Sequence, residues 1–391
     1  MKGTELLRLI ATHVFLQGTM GGMRLASPLL ALQLDYSAAA VGVLIALFAV
    51  TQMVFALPAG RYADRHGLMR PLALAVIAAS SGALLLVVFP TFPAMCIAAL
   101  MTGAATGVTV IALQRHVGRA ADGPTQLKRV FSWLAIAPAA ANFVGPFVAG
   151  LVIDHAGVAP ADLLSYRIAF GVLALMPLIS WLLVRTVAEP PPVPRVAGAG
   201  PTRAWDLLRQ PMFRRLLFVN WLQSSSWDVH AFVLPILGHS LGLGASVIGS
   251  ILGAFAVAAA VIRIVLPMVA ARTTERGVIL VSTLATAVVF AVYPFLSSPW
   301  TMAFCSVILG FALGAVQPMV MSMLHQITPH ARHGEALGLR LMTVNASSVA
   351  MPMLFGAAGA VIGISSIFWI VGGVVAVGSR AVWGLKACRS A

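Results

Sequence analysis

Charged residues are scarce in this sequence. Only 9% of its 391 residues are Asp, Glu, Lys or Arg, against about a quarter in a typical soluble domain. Hydrophobic residues make up 60%, and the apolar stretches exceed the roughly 20 residues that a helix needs to cross a bilayer. A water-soluble chain of this length could not cover its surface with so few charges. The composition therefore excludes a water-soluble fold and predicts an all-α polytopic protein embedded in the lipid bilayer.

Acidic residues are the scarcer of the two charged classes. There are 11 of them against 25 basic residues, and in a soluble protein the net charge of +14 would suggest a nucleic-acid partner. Here every basic residue except Arg24 and Arg167 falls in the central linker, at the chain ends, or in or beside loops of one predicted side. The positive-inside rule explains this distribution without nucleic acid and predicts that both termini are cytoplasmic.

Several chemical signatures are also missing. The three cysteines, Cys96, Cys305 and Cys388, are too far apart in sequence for a metal cluster, so neither a metal nor another cofactor is expected. There is no Walker-type phosphate loop, nucleophile elbow or His-Glu-x-x-His pair, so we expect neither direct use of ATP nor an enzyme. The first apolar run is too long for a cleavable signal peptide and contains Arg24.

Twelve apolar stretches with polar residues between them predict twelve transmembrane helices. We place them near 7–34, 40–61, 70–90, 92–116, 129–154, 164–186, 212–239, 245–270, 277–295, 297–324, 335–361 and 363–385. After the sixth, a cluster of prolines forbids a continuous helix: Pro190, Pro191, Pro192 and Pro194. The predicted organisation is an N-terminal six-helix bundle over 1–188, a cytoplasmic linker over 189–211 and a C-terminal six-helix bundle over 212–391.

The two predicted bundles share the same pattern of prolines and glycines. Residues on corresponding helices recur at nearly one spacing: Pro28 as Pro235, Gly103 and Gly107 as Gly310 and Gly314, Pro146 and Gly150 as Pro352 and Gly356. One coincidence would mean little in a chain rich in Gly and Ala, but three argue for a duplicated unit. A duplicated set of helices is typical of membrane transporters. In such transporters the substrate site is expected near the midplane between the two halves, which rock about it in alternating access.

A motif between the second and third predicted helices reads Gly60-Arg-Tyr-Ala-Asp64-Arg65-His-Gly67-Leu-Met-Arg70-Pro71. A glycine allows helices to approach closely, and an aspartate can accept hydrogen bonds from a neighbouring helix N-terminus. The motif resembles the cytoplasmic loop signature of the major facilitator superfamily. That resemblance implies a twelve-helix transporter in which Asp64 and the arginines latch the cytoplasmic face in the outward-open state. The alternative is an ordinary positive-inside loop with a turn glycine.

The fifth predicted helix contains a second motif, Ala141-Asn-Phe-Val-Gly145-Pro146-Phe-Val-Ala149-Gly150. Small residues allow close helix packing in a membrane, and the proline bends the helix. The motif is similar to the antiporter signature of proton-coupled drug exporters in the same superfamily, which implies export. The alternative is a proline kink with a packing role alone.

The sequence departs from the family pattern in two places. Ala99 stands where those exporters usually have an arginine that, by resemblance, assists proton transfer. In the second half the loop motif is degenerate, since Ala270, Thr274 and Gly277 stand at the positions equivalent to its glycines and aspartate. The cytoplasmic latch is therefore expected to be asymmetric.

Two charged residues, Asp228 and Arg24, fall well inside predicted spans. A charge near the bilayer centre costs about 3 kcal/mol on insertion scales, so something must compensate it. They occupy equivalent helices at similar depth, and the resemblance to the superfamily implies that these helices lie beside a central cavity. We therefore expect the two residues to face each other across it, where protonation of Asp228 would free Arg24 to bind an anionic group or would loosen the outer gate. Two alternatives stay open: a permanent structural salt bridge, or two groups that each face a watery vestibule without contact.

Other polar and aromatic residues on the same two helices are candidate cavity residues. His230, two residues from Asp228, points to a different helix face, and it is either a proton-transfer group or a packing histidine. His13 and Gln17 lie one turn apart in the first helix. Aromatic and polar residues on the seventh helix suit an organic substrate, although interface aromatics are common in membrane proteins: Trp221, Gln223 and Trp227.

These observations together predict a secondary active transporter of the bacterial inner membrane that works as a monomer and moves a small organic compound by alternating access. Proton-coupled efflux is the preferred interpretation, with Asp228 as the proton carrier. The alternative is proton-coupled or facilitative uptake of an organic anion. A membrane enzyme would need a cluster of catalytic groups, and a sensor would normally have an extra soluble domain; the sequence contains neither.

Overall fold

Helices make up almost all of the chain that can be described. The computed structural model describes residues 3–156, 162–189, 204–243 and 245–385. The α-helices in these residues are α1 (Gly3–Gln33), α2 (Ala38–His66), α3 (Met69–Val88), α4 (Phe92–Arg119), α5 (Gly123–Leu134), α6 (Ala137–His155), α7 (Leu163–Val184), α8 (Pro211–Ser240), α9 (Ala245–Val269), α10 (Glu275–Val292), α11 (Pro299–Ile327), α12 (His333–Ile362) and α13 (Ile364–Trp383). The predicted all-α fold is confirmed.

The helix surfaces are apolar enough for a lipid environment. Within the described residues nine helical segments are long and apolar enough to cross a membrane. Large apolar side chains are exposed on their surfaces, among them Phe143, Val257 and Phe304. Exposure of apolar surface to water costs about 25 cal/mol per Å², whereas exposure to hydrocarbon does not. The prediction of a polytopic membrane protein is confirmed.

Helices α1 and α8 are not among those nine segments, although they contain 31 and 30 residues. Polar residues interrupt both in the middle, where α1 carries Arg24 and α8 carries Asp228. Such residues are tolerated inside a membrane when the helix faces other helices or a watery cavity. These two helices also carry most of the polar residues that sequence analysis singled out.

The fifth predicted span is two helices in the structure, not one. Helix α5 ends at Leu134 and α6 begins at Ala137. Pro138, at the start of α6, has no N–H to donate to the carbonyl of Leu134. The apolar run continues across this break, because the loss of one backbone hydrogen bond does not change which residues are apolar. The sequence pattern therefore predicts a single helix here.

The helices form two compact units that do not follow chain order. Unit 1 contains residues 1–120, 136–199 and 330–345; unit 2 contains 121–135, 200–329 and 346–391. Each unit therefore includes one element from the other half of the sequence, the first part of α12 in unit 1 and α5 in unit 2. Each has its own hydrophobic core, centred on Phe48 and Phe170 in unit 1 and on Phe255 and Phe290 in unit 2. The division at 189–211 stays a prediction.

The internal repeat is visible in the packing inside each unit. Gly103 of α4 lies against α2, and a Cβ atom on it would meet the carbonyl of Phe48. Gly310 of α11 lies against α9, where a Cβ atom would meet the carbonyl of Phe255. The same number of residues separates the two glycines and the two phenylalanines. Corresponding helices of the two sequence halves thus pack through the same close contact.

The proline cluster of the predicted linker lies outside the described residues. The structure describes the chain up to Glu189 and again from Ala204, where a short 3-10 helix runs to Arg209. Helix α8 then begins at Pro211, and proline is favoured at the first position of a helix because the missing N–H would be unpaired there.

Candidate functional site

The carboxylate of Asp64, near the end of α2, binds two other helices of unit 1. The backbone N–H groups of Gly334 and Glu335, in the first turn of α12, donate to its two oxygens at 2.9 and 3.0 Å. Nε of Arg115 in α4 donates to Oδ1 at 2.6 Å, and the Asp64 and Arg115 side chains are 8% and 5% exposed. A carboxylate at a helix N-terminus is stabilised by the unpaired N–H groups and by the helix dipole.

Glu335 joins the same start of α12 to two arginines. Its Oε1 accepts a hydrogen bond from Nε of Arg61 in α2 at 3.0 Å, and its Oε2 accepts one from Nε of Arg332 at 2.8 Å. The Arg61 side chain is 42% exposed, so solvent screens its ion pair and reduces its contribution. The buried Asp64 side chain, which accepts from the N–H groups of Gly334 and Glu335, is the better-shielded link between α2 and α12.

A residue at the start of the predicted linker holds the loop that follows Asp64. Gly67 has a φ of +76°, a left-handed conformation that glycine adopts without a steric penalty. Oε1 of Glu189 accepts hydrogen bonds from the backbone N–H groups of Leu68 and Met69 at 3.0 and 2.6 Å. This carboxylate satisfies two N–H groups at the N-terminus of α3, and a side chain on Gly67 would collide with it.

The other members of the predicted motif behave differently. Arg65 and Arg70 are exposed, and neither forms an ion pair within the part of the chain that the structure describes. Arg115, Glu335 and Glu189 are not among the site residues predicted from the sequence. The sequence did contain an indication for Arg115, because the apolar pattern of the fourth predicted helix continues as far as this residue. In the structure α4 extends beyond Arg115, which is buried. The sequence does not show which helix ends Glu335 and Glu189 contact.

The antiporter-like motif packs α6 onto α1. A Cβ atom on Gly145 would meet the carbonyl of Gly18, and one on Gly21 would touch the ring of Pro146. Gly150 has more room, since a Cβ atom there would only reach the Leu25 side chain at an ordinary contact distance. The motif therefore brings α6 into close contact with the helix that carries Arg24. Its implied role in export stays a prediction.

Three predicted cavity residues lie along α1. His13 is 1% exposed, and neither of its ring nitrogens has a hydrogen bond of good geometry. Gln17, one turn later, is half-buried, and Arg24 is exposed. The guanidinium of Arg24 makes no hydrogen bond or ion pair with the described residues of its own unit.

One face of α8 carries Asp228 toward α12. Both carboxylate oxygens of Asp228 lie near the hydroxyl of Ser348, at 3.3 and 3.4 Å, and Ser225 is paired with Ser347 at 2.8 Å. Trp221 lies on this face, one turn before Ser225. Asp228 thus has a single neutral partner among the described residues of unit 2.

The opposite face of α8 carries the other predicted residues toward α9, α10 and α11. Gln223 donates to Thr283 at 2.7 Å, while its own oxygen has no partner. Trp227 packs edge-on against Phe255, with the ring centroids 4.6 Å apart. Trp221 therefore lies on a different face from Gln223 and Trp227, because residues two apart on a helix point in different directions.

His230 lies on the same face as Trp227 and is fully buried. Its Nε2 is 2.9 Å from the hydroxyl of Ser306, which is 2.9 Å from the hydroxyl of Tyr293. The ring also stacks on Phe255 at 4.4 Å, and Nδ1 has no partner. His230 and Asp228 therefore belong to separate polar groups, and these contacts favour the packing alternative for the histidine.

The predicted pairing of Arg24 with Asp228 joins residues of different units. Inside unit 1 the arginine has no anionic partner, and inside unit 2 the aspartate has only Ser348. Both observations concern the described residues of each unit alone. The pairing, and the two alternatives to it, stay predictions.

Comparison with known families gives a direct result. The sequence model of the Major Facilitator Superfamily matches residues 9–222 and again residues 216–386. The chain belongs to the Major Facilitator Superfamily. It is a transporter and not an enzyme. The double match also agrees with the internal repeat, since each part covers one half of the chain. No curated protein sequence matches this chain.

Solved structures of other superfamily transporters have the same fold. A bacterial homologue of the iron transporter ferroportin has a TM-score of 0.80 and 14% identity over 97% of this chain and 99% of its own. The human organic anion transporter MFSD10 has a TM-score of 0.74 and 16% identity over 98% and 100%. The E. coli fucose:proton symporter FucP has a TM-score of 0.78 and 14% identity over 97% and 98%. At these identities the similarity shows the fold alone.

Proposed function

We propose that this transporter exports a small organic compound across the bacterial inner membrane by alternating access, driven by proton influx. The observation that carries the proposal is the environment of Asp228 in α8. This carboxylate lies within a helix of the membrane domain, and the hydroxyl of Ser348 is its one partner among the described residues of its unit. It can therefore take up and release a proton without breaking an ion pair, as a proton carrier must.

Alternating access requires contacts that break and re-form without unfolding a helix. The bonds of Asp64 meet this requirement, because they join α2 to backbone N–H groups at the start of α12, an element of the other sequence half. Releasing them frees a helix terminus that water can solvate. We propose that these bonds latch the cytoplasmic face, as the resemblance of residues 60–71 implies. The degenerate motif in the second half supports an asymmetric latch.

The charge distribution supports cytoplasmic termini and a cytoplasmic linker at 189–211, following the positive-inside rule. The motif at 141–150 supports export over uptake. The proposed transporter functions as a monomer, because in this superfamily's fold the repeat interface that forms a substrate site lies within one chain.

Flux measurements on Asp228→Asn test the proposal. A thermal-shift screen of purified protein over a compound library first supplies a ligand, and its uptake is then followed in everted membrane vesicles with an imposed pH gradient. The unsubstituted protein should accumulate the ligand when the vesicle interior is acidic. Asp228→Asn should fold and bind the ligand yet lose the response to the gradient, and Asp154→Asn, an exposed carboxylate in α6, should behave as the unsubstituted protein.

Two results would reject parts of the proposal. Proton-dependent flux at the unsubstituted rate in Asp228→Asn would remove this residue as the carrier. Gradient-driven uptake in right-side-out vesicles, with none in everted ones, would reverse the direction of transport.

A further inference from the structure

Arg263, in α9, is a buried arginine held by three neutral acceptors of unit 2. It is 7% exposed. Its Nη1 donates to the carbonyl of Ala135 at 2.9 Å, its Nη2 to the side-chain oxygen of Gln317 at 3.3 Å, and its Nε to the carbonyl of Gly314 at 3.4 Å. The guanidinium is thus fixed between α5, α9 and α11.

Breaks in neighbouring helices supply two of these acceptors. Pro318 has no N–H, so the carbonyl of Gly314, four residues earlier in α11, lacks its usual helical partner. Ala135 lies directly after the last residue of α5, where carbonyl groups have no partner within the helix. Both carbonyls need a hydrogen-bond donor, but neither needs a positive charge. A glutamine would also provide N–H groups.

The charge of Arg263 has no anionic partner among the described residues. The arginine forms no ion pair there. Asp228 bonds to Ser348, Glu275 bonds to Ser322 and Gln326, and the half-buried Asp206 pairs with Arg209 at 3.8 Å. An arginine inside a membrane is costly to insert and usually pairs or marks a substrate pathway. The hydrogen bonds to the two carbonyls explain why a donor is present at this position, but they do not explain why it carries a positive charge.

The aromatic ring of Trp227 lies beside the guanidinium of Arg263. The Cζ atom of Arg263 is 5.8 Å from the centre of the Trp227 ring, and Trp227 packs on Phe255. The three known acceptors use one N–H of each guanidinium nitrogen, which leaves one N–H on each terminal nitrogen unused among the described residues. Two N–H groups match the two oxygens of a carboxylate.

We propose that Arg263 binds the carboxylate of the transported compound, while Trp227 contacts its aromatic or apolar body. The inference rests on the proposed function in one respect, that the chain transports a small organic compound, and it assigns that compound to the organic anions. The site requires neither proton coupling nor a particular direction of transport.

Equilibrium binding to the purified full-length protein in detergent tests the site. The probes are a panel of aromatic carboxylates, 2-naphthoate among them, each paired with its uncharged amide, and the readout is the concentration dependence of the melting temperature. The unsubstituted protein should bind at least one acid more tightly than its amide. Arg263→Gln, which keeps an N–H donor for the carbonyls, should weaken the acid by about tenfold to hundredfold, the effect of losing a charge-assisted hydrogen bond. Its affinity for the amide should not change.

Arg276→Gln is the matched control. Arg276 also lies over a tryptophan in unit 2, with its Cζ 5.0 Å from the Trp383 ring, and its replacement should leave both affinities unchanged. Arg263→Lys should retain part of the preference for the acid, because a lysine keeps the charge but not the two-pronged geometry.

Two results would overturn the site: no acid in the panel binding better than its amide, or Arg263→Gln binding the acid as the unsubstituted protein does. The experiments distinguish a failure of the Arg263 site from a failure of the proposed function. Anion binding that depends on Arg263, without a flux response to pH, supports the site and removes proton coupling. Proton-driven flux of uncharged or cationic compounds, unchanged in Arg263→Gln, removes the site and leaves the function.

Discussion

The backbone of Gly60 in α2 lies directly against the backbone of Gly334 in the first turn of α12. A Cβ atom on either glycine would overlap the carbonyl of the other. One turn later, Gly338 approaches the carbonyl of Ala56 in the same way. The two helices thus meet without intervening side chains, which brings the start of α12 within hydrogen-bonding distance of Asp64, at 2.9 Å from the N–H of Gly334.

Gly60→Ala should separate α2 from α12 and weaken the hydrogen bonds of Asp64. The added methyl group meets backbone atoms, which cannot rotate away as a side chain can, and overpacking of this kind costs about 1–3 kcal/mol. We expect a lower melting temperature in detergent. Gly42→Ala, in the same helix but with open space around a Cβ atom, is the control and should not lower it. Equal melting temperatures for the two variants would show that this close contact does not stabilise the protein.

Asp64→Asn should destabilise the protein more than an ordinary polar substitution. Asparagine has one acceptor oxygen instead of two, and the change leaves Arg115 buried without its counter-charge. Removal of one partner of a buried ion pair costs about 3–5 kcal/mol. The measurement is thermal unfolding, with the exposed Asp154→Asn of the same unit as the control.

A second variant separates the ion pair from the helix contact. In the double variant Asp64→Asn with Arg115→Gln no uncompensated charge remains, so its loss of stability should be smaller than the sum of the two single losses. Strict additivity would mean that the 2.6 Å contact between these side chains does not couple them energetically.

The sequence predicts part of this site and misses the rest for physical reasons. The residue types at positions 64 and 67 can be interpreted without knowledge of the fold. An aspartate carboxylate is stabilised at a helix N-terminus, and a glycine adopts a positive φ without a steric penalty. Arg115 and Glu335 are long-range partners, at sequence separations of 51 and 271 from Asp64. Hydrophobic periodicity identifies the faces of a helix but not which residues of distant helices meet.

The fold was more predictable than the contacts because the bilayer restricts it. Almost every helix follows from an apolar run of sufficient length, and the turn near Pro90 separates α3, which ends at Val88, from α4, which begins at Phe92. The interruption at Ala135 was missed, although Pro138 was visible. A proline is tolerated in a transmembrane helix when neighbouring groups satisfy the freed carbonyls, so its presence alone does not predict a break.

Glu189→Gln should loosen the start of α3. The carboxylate caps the N–H groups of Leu68 and Met69, and loss of a capping side chain costs about 1 kcal/mol. The neutral amide keeps an acceptor but loses the attraction to the helix dipole, so we expect a several-fold faster amide exchange there. Hydrogen exchange read by mass spectrometry on a peptide covering residues 66–72 checks this.

The internal control for this variant is the N-terminus of α4 at Phe92, which Glu189 does not contact and where exchange should be unchanged. Unaltered exchange at 66–72 would show that the linker residue does not hold this loop.

Ser306→Ala should lower the stability of unit 2, because it removes the hydroxyl that connects His230 and Tyr293. The Tyr293 hydroxyl also lies 3.2 Å from the carbonyl of Met302, where it donates. Ser306 then donates its single proton to Tyr293 and accepts one from Nε2 of His230. Without Ser306 the buried His230 loses the one hydrogen-bond partner that it has in the described part of the chain, and an unsatisfied buried group costs about 1–3 kcal/mol.

Tyr293→Phe distinguishes this network from general packing, since it removes one hydroxyl and keeps the ring that stacks on Phe368. With the tyrosine hydroxyl gone, Ser306 can still pair with His230, but the bonds of that hydroxyl to Met302 and to Ser306 are both lost. The loss should therefore be about 2 kcal/mol, the contribution of two ordinary hydrogen bonds. The double variant should lose less than the sum of the two single variants, because the bond between them is removed only once. Ser379→Ala, whose hydroxyl donates to the carbonyl of Ala376 within α13, should be near neutral. A Ser306→Ala variant as stable as Ser379→Ala would mean that His230 is held by its ring contacts alone.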